Sequence, residues 1–240
     1  TPLLQSSKLD NVDFRWEWYR EAGNNLSVAV FYKDIEKPIE LIELNTVGGA
    51  APNLLTANGE SGKLYGLEVE FLQDLSIISS DLSNFFVTGN LTISDSEVTL
   101  GAVEDDVTSL FETQLLDALN ATSASITVTN NKRGLGAHSA WVANLRVGYD
   151  SDNGEKSATL VYNAFGPRII VPGTRGNEDA EEQTYHSLDM NYTYYPDFNT
   201  RIKFSIKNLL DQSKQIQQEG LNLLLQEDGV EFGLSYSYQF

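Results

Sequence analysis

The sequence lacks cysteine and is poor in histidine and in basic residues. Without cysteine, neither a disulfide framework nor a thiolate metal site can form. Only 16 lysines and arginines stand against 34 acidic residues, which gives a formal charge of -18. Binding to nucleic acid needs clustered lysine and arginine, so this charge argues against a nucleic-acid partner. The acidic excess fits solvated, acidic loops.

Long apolar runs are missing too. The chain has no run of about 18 apolar residues, which excludes a helical membrane span. A β-strand crosses a bilayer with about 9 to 11 residues, half of which can be polar, so a transmembrane barrel passes this test. The chain begins at Thr1 without an initiator methionine or a signal peptide. We therefore expect residues 1–240 to be the C-terminal part of a longer protein.

The last twelve residues, 229–240, alternate strictly between apolar and small polar side chains. A period of two is typical of a β-strand, because successive side chains point to opposite faces of a sheet. The polar face is nearly uncharged and the apolar face is aromatic, as in a lipid-facing strand of a transmembrane barrel. The apolar face holds Val230, Phe232, Leu234, Tyr236, Tyr238 and Phe240.

Eight further segments are predicted as strands, which makes about nine in all. In one of them, Glu68 and Glu70 lie opposite an apolar face. They would be costly in an apolar core but not in a watery lumen. A proline cannot donate to a sheet ladder, so Pro38 predicts a kink. The segments are Leu9–Arg20, Leu26–Leu44, Lys63–Asp74, Asn84–Ser94, Ser139–Asp150, Lys156–Phe165, Thr184–Pro196 and Thr200–Leu209.

Long and short connections alternate along the chain. Outer-membrane barrels have long extracellular loops and short periplasmic turns, whereas a soluble sandwich has no reason to follow this rule. Counted backwards from the C-terminus, the odd connections are long and the even ones are short, which places the C-terminus on the periplasmic side. Helix-like apolar spacing predicts a short helix over Asp106–Leu119. The long connections are Asn45–Gly62, Asp95–Ala137, Gly166–Gln183 and Asp211–Asp228, all predicted as loops.

Aromatic residues are predicted to form membrane girdles at the strand ends. Trp141 falls at the extracellular end and the others at the periplasmic end. The predicted girdle and assembly residues are Trp16, Trp18, Trp141, Tyr149, Tyr236, Tyr238 and Phe240. A sheet of nine strands has two edges with unpaired backbone groups, and an outer-membrane barrel removes such edges by closing on itself. We therefore expect the other strands of the barrel to lie in sequence outside residues 1–240.

Several short blocks resemble the C-terminal barrel of TonB-dependent outer-membrane receptors. They are L-S-V-A-V-F-Y-K-D-I at 26–35, Y-G-L-E-V-E-F at 65–71, G-N-L-T at 89–92, A-N-L-R-V-G-Y-D at 143–150, Y-N-A-F-G-P-R-I at 162–169, K-N-L-L-D at 207–211 and the terminal Y-S-Y-Q-F. Their order and spacing match along essentially the full chain.

The resemblance implies an all-β, antiparallel transmembrane barrel of about 22 strands, of which residues 1–240 supply the last nine. It implies active uptake of a small-molecule nutrient across the bacterial outer membrane, powered by the TonB complex through a plug domain that is absent here. It also implies contact with outer-membrane lipid and lipopolysaccharide, and assembly machinery that reads the C-terminal strand with Phe240. No cofactor is implied.

No constellation typical of an enzyme or a dedicated metal site occurs. His138 and His186 are the only histidines and could share a metal only if their loops meet; otherwise they are solvated. Acidic clusters at 104–106 and 178–182 could bind Ca²⁺, or could be solvated loop faces or cation bridges to lipopolysaccharide. Gly173–Gly176 is too short for a phosphate cradle and predicts a turn.

The resemblance implies that ligand contacts come from inward residues near the extracellular end and from the long loops. The candidates are Asn90, Asn163, Arg168, Arg175 and Tyr185; the alternative is that inward residues pair with the plug or with one another. The nutrient is predicted to be a siderophore–iron complex or an oligosaccharide. A passive porin and a soluble, acidic, all-β carbohydrate-binding module remain the alternative functions.

Overall fold

The computed structural model describes residues 4–21, 23–44, 53–101, 114, 129–174 and 176–240, and most of them lie in β-strands. The strands are β1 (Lys8–Glu21), β2 (Asn24–Glu36), β3 (Ile39–Leu44), β4 (Asn53–Asn58), β5 (Ser61–Asp74), β6 (Phe85–Thr99), β7 (Lys132–Arg133), β8 (Trp141–Asp150), β9 (Lys156–Phe165), β10 (Arg168–Val171), β11 (Ala180–Glu182), β12 (Tyr185–Asp197), β13 (Thr200–Lys207), β14 (Lys214–Gln218), β15 (Leu221–Gln226) and β16 (Glu231–Tyr238).

Nine long strands form one sheet in the order β1-β2-β5-β6-β8-β9-β12-β13-β16, with the short β7 added beside β6. Every neighbouring pair on this path is antiparallel. These are the nine segments that the alternating pattern predicts. Among the described residues, β1 and β16 are the two edges of the sheet and do not pair with each other.

One face of this sheet is apolar and uncovered. Cross-strand partners share a face, so the ladder aligns Phe14, Val30, Leu67 and Ile93 on four adjacent strands. Phe14 is 68% exposed and Leu234, on β16, is 79% exposed. A soluble sheet would bury such a face against a second layer, whereas a barrel wall presents it to lipid.

Short turns join the strands at the end of the sheet that carries the C-terminus. A tight turn at 151–154 joins β8 to β9: the Gly154 N–H donates to the Ser151 carbonyl at 2.8 Å, and Gly154 has a φ of 69°. Strand β12 runs through Pro196 because the proline falls at a break in the ladder between Tyr194 and Asp197. Two 3₁₀ turns, Leu75–Ile77 and Ser80–Leu82, connect β5 to β6. Within the described ranges, no helix has the length and hydrophobicity that crossing a membrane requires.

Long connections occupy the opposite end, as predicted, but they are more ordered than the predicted loops. The predicted strand Leu26–Leu44 is two strands, because the chain leaves the sheet at Lys37, with a φ of 55°, and Pro38. Strand β3 then pairs with β4, inside the predicted loop Asn45–Gly62. Backbone groups beyond the sheet still need hydrogen-bond partners, and this hairpin supplies them.

The predicted loops Gly166–Gln183 and Asp211–Asp228 also contain strands, so this part of the prediction was wrong. Together they build a second sheet in the order β10-β11-β14-β15. The two loops join where Glu181 and Glu182 pair with Gln217 and Ile216. Strand β6 likewise extends to Thr99, beyond its predicted end at Ser94. The predicted helix Asp106–Leu119 lies outside the described residues except for Gln114, which is helical.

Candidate functional site

A row of polar side chains crosses the inner face of the sheet, opposite the apolar face. It joins seven strands through successive cross-strand pairs. Cross-strand partners lie on one face, and strands are spaced about 4.8 Å apart, so the side chains form a continuous band. The members are Glu17, Ser27, Glu70, Asn90, Asn144, Asn163 and Ser187. We call this band the polar row.

One end of the polar row is acidic and internally paired. Glu70 accepts hydrogen bonds from Arg15 and from the Ser27 hydroxyl, the latter at 3.2 Å. Arg15 also donates its Nε to Glu17 at 2.7 Å. Glu70 thus lies among polar side chains on the face opposite the apolar one; that this face lines a watery lumen stays a prediction.

The other end of the polar row is made of neutral amides and a hydroxyl. The Asn144 amide donates to the Asn90 Oδ1 atom at 2.8 Å, and the Asn163 amide donates to the Ser187 hydroxyl at 3.3 Å. Each asparagine keeps further donor or acceptor positions, because an amide has two N–H groups and an oxygen with two lone pairs. This end can therefore bind a polar group in the lumen.

A recess opens beside the two paired asparagines. Glu70, Asn90, Asn144 and Arg146 line it. The Arg146 guanidinium lies over the Phe86 ring at 5.5 Å. The recess therefore combines the Arg146 charge and the two amides with apolar walls that include Leu72 and Val161.

A second cluster lies where β9 and β12 reach the long connections. Arg168 forms an ion pair with Glu182 at 2.6 Å, and its guanidinium lies 4.5 Å from the centre of the Phe165 ring. Phe165 contacts Tyr185 at a centroid distance of 5.8 Å, and the Lys214 ammonium lies 5.8 Å from the Tyr185 ring. Two cations thus flank two aromatic rings. We call this group the mouth cluster.

Four of the five predicted ligand residues fall into these two places. Asn90 and Asn163 belong to the polar row, and Arg168 and Tyr185 belong to the mouth cluster. Arg175 lies outside the described residues. Their role in ligand binding stays a prediction.

The two histidines do not form a shared site. His138 lies over the inner face, where its Nε2 and Nδ1 atoms contact the hydroxyls of Ser94 and Ser96, both at 2.8 Å. Burial lowers the pKa of His138, and the negative charge of Asp95 opposes this shift. His186 lies on the outer face, where its Nδ1 contacts the Tyr162 hydroxyl at 2.7 Å.

Acidic residues of the described chain do not gather into a metal site. Asp179 has structural contacts, because it accepts a hydrogen bond from the Gly173 N–H at 2.7 Å and from the Asn130 amide at 3.2 Å. Gly173–Gly176 begins a turn, in which the Asn177 N–H donates to the Thr174 carbonyl at 3.1 Å. The cluster at 104–106 lies outside the described residues.

The predicted girdle residues within strands point to the outer face. Trp16 and Trp18 are about half exposed on β1, and Tyr236 and Tyr238 are exposed on β16. Tyr149 pairs with Phe85 near the short turns, and Trp141 lies at the other end, beside Gly166. Phe240 contacts Tyr238 edge-on at 5.2 Å. Their function as a membrane girdle stays a prediction.

The sequence of residues 1–209 matches the family model described as "TonB dependent receptor-like, beta-barrel". The chain belongs to the TonB-dependent receptors. This membership places it in the bacterial outer membrane and in a family of receptors and transporters, not of enzymes. No curated protein matches the sequence.

Solved structures of TonB-dependent receptors have the same fold as this chain. The ferric-catecholate import receptor Fiu from E. coli K12 aligns with 99% of the chain at a TM-score of 0.63 and 16% identity. The ferric yersiniabactin uptake receptor FyuA from Yersinia pestis aligns with 98% at 0.62 and 17% identity. The copper transporter OprC aligns with 98% at 0.60 and 11% identity. The chain spans 28%, 30% and 31% of these three proteins, respectively.

Sequence reasoning missed three residues of these sites. Arg146 and Phe165 lie in the blocks at 143–150 and 162–169 that carry the family resemblance, but neither was singled out for a role, and Lys214 lies in a segment predicted as a loop. A basic residue on the inner face, two positions from an asparagine, is the only sequence signal that marks Arg146. Lys214 could not be found, because it meets Tyr185 only through the pairing of two distant loops.

Proposed function

We propose that the protein of which this chain is part is an active importer that takes up a scarce iron chelate across the outer membrane with energy from the TonB complex. The family match over residues 1–209 carries the proposal. Solved receptors with the same fold include import receptors for ferric chelates, by their own descriptions. The TonB complex would act through a plug domain outside residues 1–240.

The mouth cluster favours an anionic chelate with aromatic groups. Arg168 and Lys214 provide positive charge at the entrance of a strongly acidic protein, and Phe165 and Tyr185 provide faces for stacking. A guanidinium binds oxyanions through paired N–H groups, and aromatic rings add contact area. Glu182 neutralises part of the Arg168 charge, so we expect Arg168 to exchange this partner for the ligand.

An oligosaccharide is the second candidate nutrient. The observation that favours it is the neutral end of the polar row, where Asn90, Asn144 and Asn163 present amides in line. Amides can donate to one hydroxyl and accept from another, which suits a polyhydroxylated solute. The two nutrients differ in charge, so their uptake should depend on different residues.

Growth of a receptor-deficient Gram-negative strain that carries the full-length gene tests the proposal. We expect growth on a ferric catecholate or ferric hydroxamate as the iron source only when TonB is intact. Arg168→Gln should weaken binding of the ferric chelate about tenfold, which corresponds to about 1.4 kcal/mol for one lost charged contact. Asn163→Ala serves as the comparison, since it should affect a maltooligosaccharide more than a chelate. Uptake that is equal with and without TonB would show a passive porin instead.

A further inference from the structure

Arg146 is a cation without a carboxylate partner. Among the described residues it forms no hydrogen bond or ion pair, and its only polar-type contact is with the Phe86 ring. Acidic residues outnumber basic residues 34 to 16 in this chain, so carboxylates for pairing are plentiful. The strand places Arg146 on the inner face instead, beside Asn144 and away from lipid.

Two neighbours fix where the guanidinium lies. The Arg146 guanidinium lies over the Phe86 ring, and the ring in turn packs against Gly148. A Cβ atom at position 148 would come within 2.1 Å of the Phe86 ring, so any other residue would displace the ring. Contact with the face of a ring leaves the five N–H donors in the guanidinium plane free.

The surrounding side chains add donors to the same place. Asn90 accepts from Asn144 through its oxygen, which leaves the two N–H groups of Asn90 without a partner in the described part of the chain. Among the described residues that line the recess, the one carboxylate is that of Glu70, which lies two strands from Arg146 and two residues along the ladder and is held by Arg15 and Ser27. Asp189 lies two strands away on the other side, in line with Arg146 through Val161, and accepts a hydrogen bond from the Asn208 N–H at 2.9 Å. The Arg146 end of the recess therefore has several donors and no acceptor of matching charge.

We propose that Arg146 and Asn90 bind a carboxylate that enters the lumen, with Arg146 as the two-pronged donor. A planar guanidinium matches the two oxygens of a carboxylate, and the amide supplies a further N–H. The carboxylate belongs either to a solute in the lumen or to an acidic side chain of the remaining part of the full-length receptor. The inference rests on the wall geometry and not on the identity of the imported nutrient.

Thermal unfolding of the full-length receptor in detergent micelles separates these sources. We would compare wild type, Arg146→Gln and Arg146→Lys with and without millimolar citrate, using sodium chloride to match ionic strength. If the carboxylate comes from a solute, citrate raises the Tm of the wild type but not of Arg146→Gln. If it comes from the receptor itself, Arg146→Gln lowers the Tm without citrate, and citrate has no effect.

The matched control is Lys156→Gln, which also removes an exposed cation without an ion pair in the described residues, but at a short turn outside the recess. Arg146→Lys keeps the charge but loses the planar guanidinium with its paired N–H donors. It should therefore lose most of the citrate-induced rise in Tm, or most of the stability without citrate, whichever the wild type shows. Phe86→Leu removes the support and should lose part of it. Equal Tm values for wild type and Arg146→Gln under both conditions would overturn the proposal. So would a loss in Lys156→Gln as large as that in Arg146→Gln.

Discussion

The nine-stranded sheet and the region above it differ in which side chains they expose and which they bury. In the sheet, apolar side chains such as Phe14 and Leu234 stay exposed, and the polar groups face the lumen. In the region above, which we call the mouth (residues 37–44, 53–60, 129–140 and 208–229 with β10 and β11), polar and charged side chains such as Asn58, Glu40 and Arg133 are buried. The sheet relies on its backbone ladder, whereas the mouth relies on specific polar contacts between loops.

Buried contacts in the mouth join segments that are far apart in sequence. Glu40 of β3 and Arg133 of β7 form an ion pair at 2.9 Å, with side chains only 6% and 3% exposed. Asn208 holds both ends of the last long connection, since its amide donates to the carbonyls of Gln212 at 3.2 Å and Gly229 at 3.0 Å. A buried polar group costs free energy when its partner is lost, so each such contact makes the mouth sensitive to single substitutions.

The largest effect is expected from Arg133→Met in the full-length receptor. The substitution leaves the Glu40 carboxylate buried without its partner, which costs about 3–5 kcal/mol when a buried pair is broken. We expect residues 37–44 and 129–140 to open, while the nine-stranded sheet keeps its hydrogen bonds. Hydrogen exchange resolved along the chain measures the opening of these residues and the protection of the sheet in one experiment.

The double variant Arg133→Met/Glu40→Leu is the control. Removing both charges leaves no unpaired carboxylate, so most of the lost protection should return. If the single variant unfolded the sheet to the same extent as the mouth, the two regions would not be energetically separate, and the contrast between them would be wrong.

The sheet could be predicted from sequence because apolar and polar side chains alternate along its strands. A sheet with one apolar and one polar face has side chains with a period of two along each strand, here over 8 to 15 residues, as in the final strand Glu231–Tyr238 and the long Phe85–Thr99. The strands of the mouth have two to six residues. They pair with residues distant in sequence, as Glu181 does with Gln217, and no local pattern predicts such a pair. For the same reason Asn90 and Asn163 were found as inward residues, whereas Lys214 was missed.

A smaller effect is expected from acid, and it should be confined to the mouth. Burial lowers the pKa of His138 in the folded receptor, so protonation favours the opened state. The stabilisation of the folded mouth by neutral His138 is complete above the ordinary pKa of about 6.5. It is lost as the pH falls through the lower pKa that His138 has in the folded receptor. We expect hydrogen exchange of residues 134–140, corrected for the intrinsic rate, to rise between about pH 7.5 and 5. His138→Gln should remove this pH dependence, and an unchanged profile in that variant would assign the effect to another group.

The smallest effect is expected where the sheet carries an exposed ion pair. Lys8 and Glu36 meet at 3.0 Å across the β1–β2 ladder, but their side chains are 77% and 52% exposed. Water and salt screen such a pair, and holding two long side chains in one geometry costs entropy, so the net contribution is small. We expect Lys8→Gln to leave the Tm of the full-length receptor unchanged within error at about 0.15 M salt. The same change of one cation to a neutral residue should destabilise the mouth at Arg133. A loss at Lys8 equal to that at Arg133 would mean that burial is not what separates the two regions.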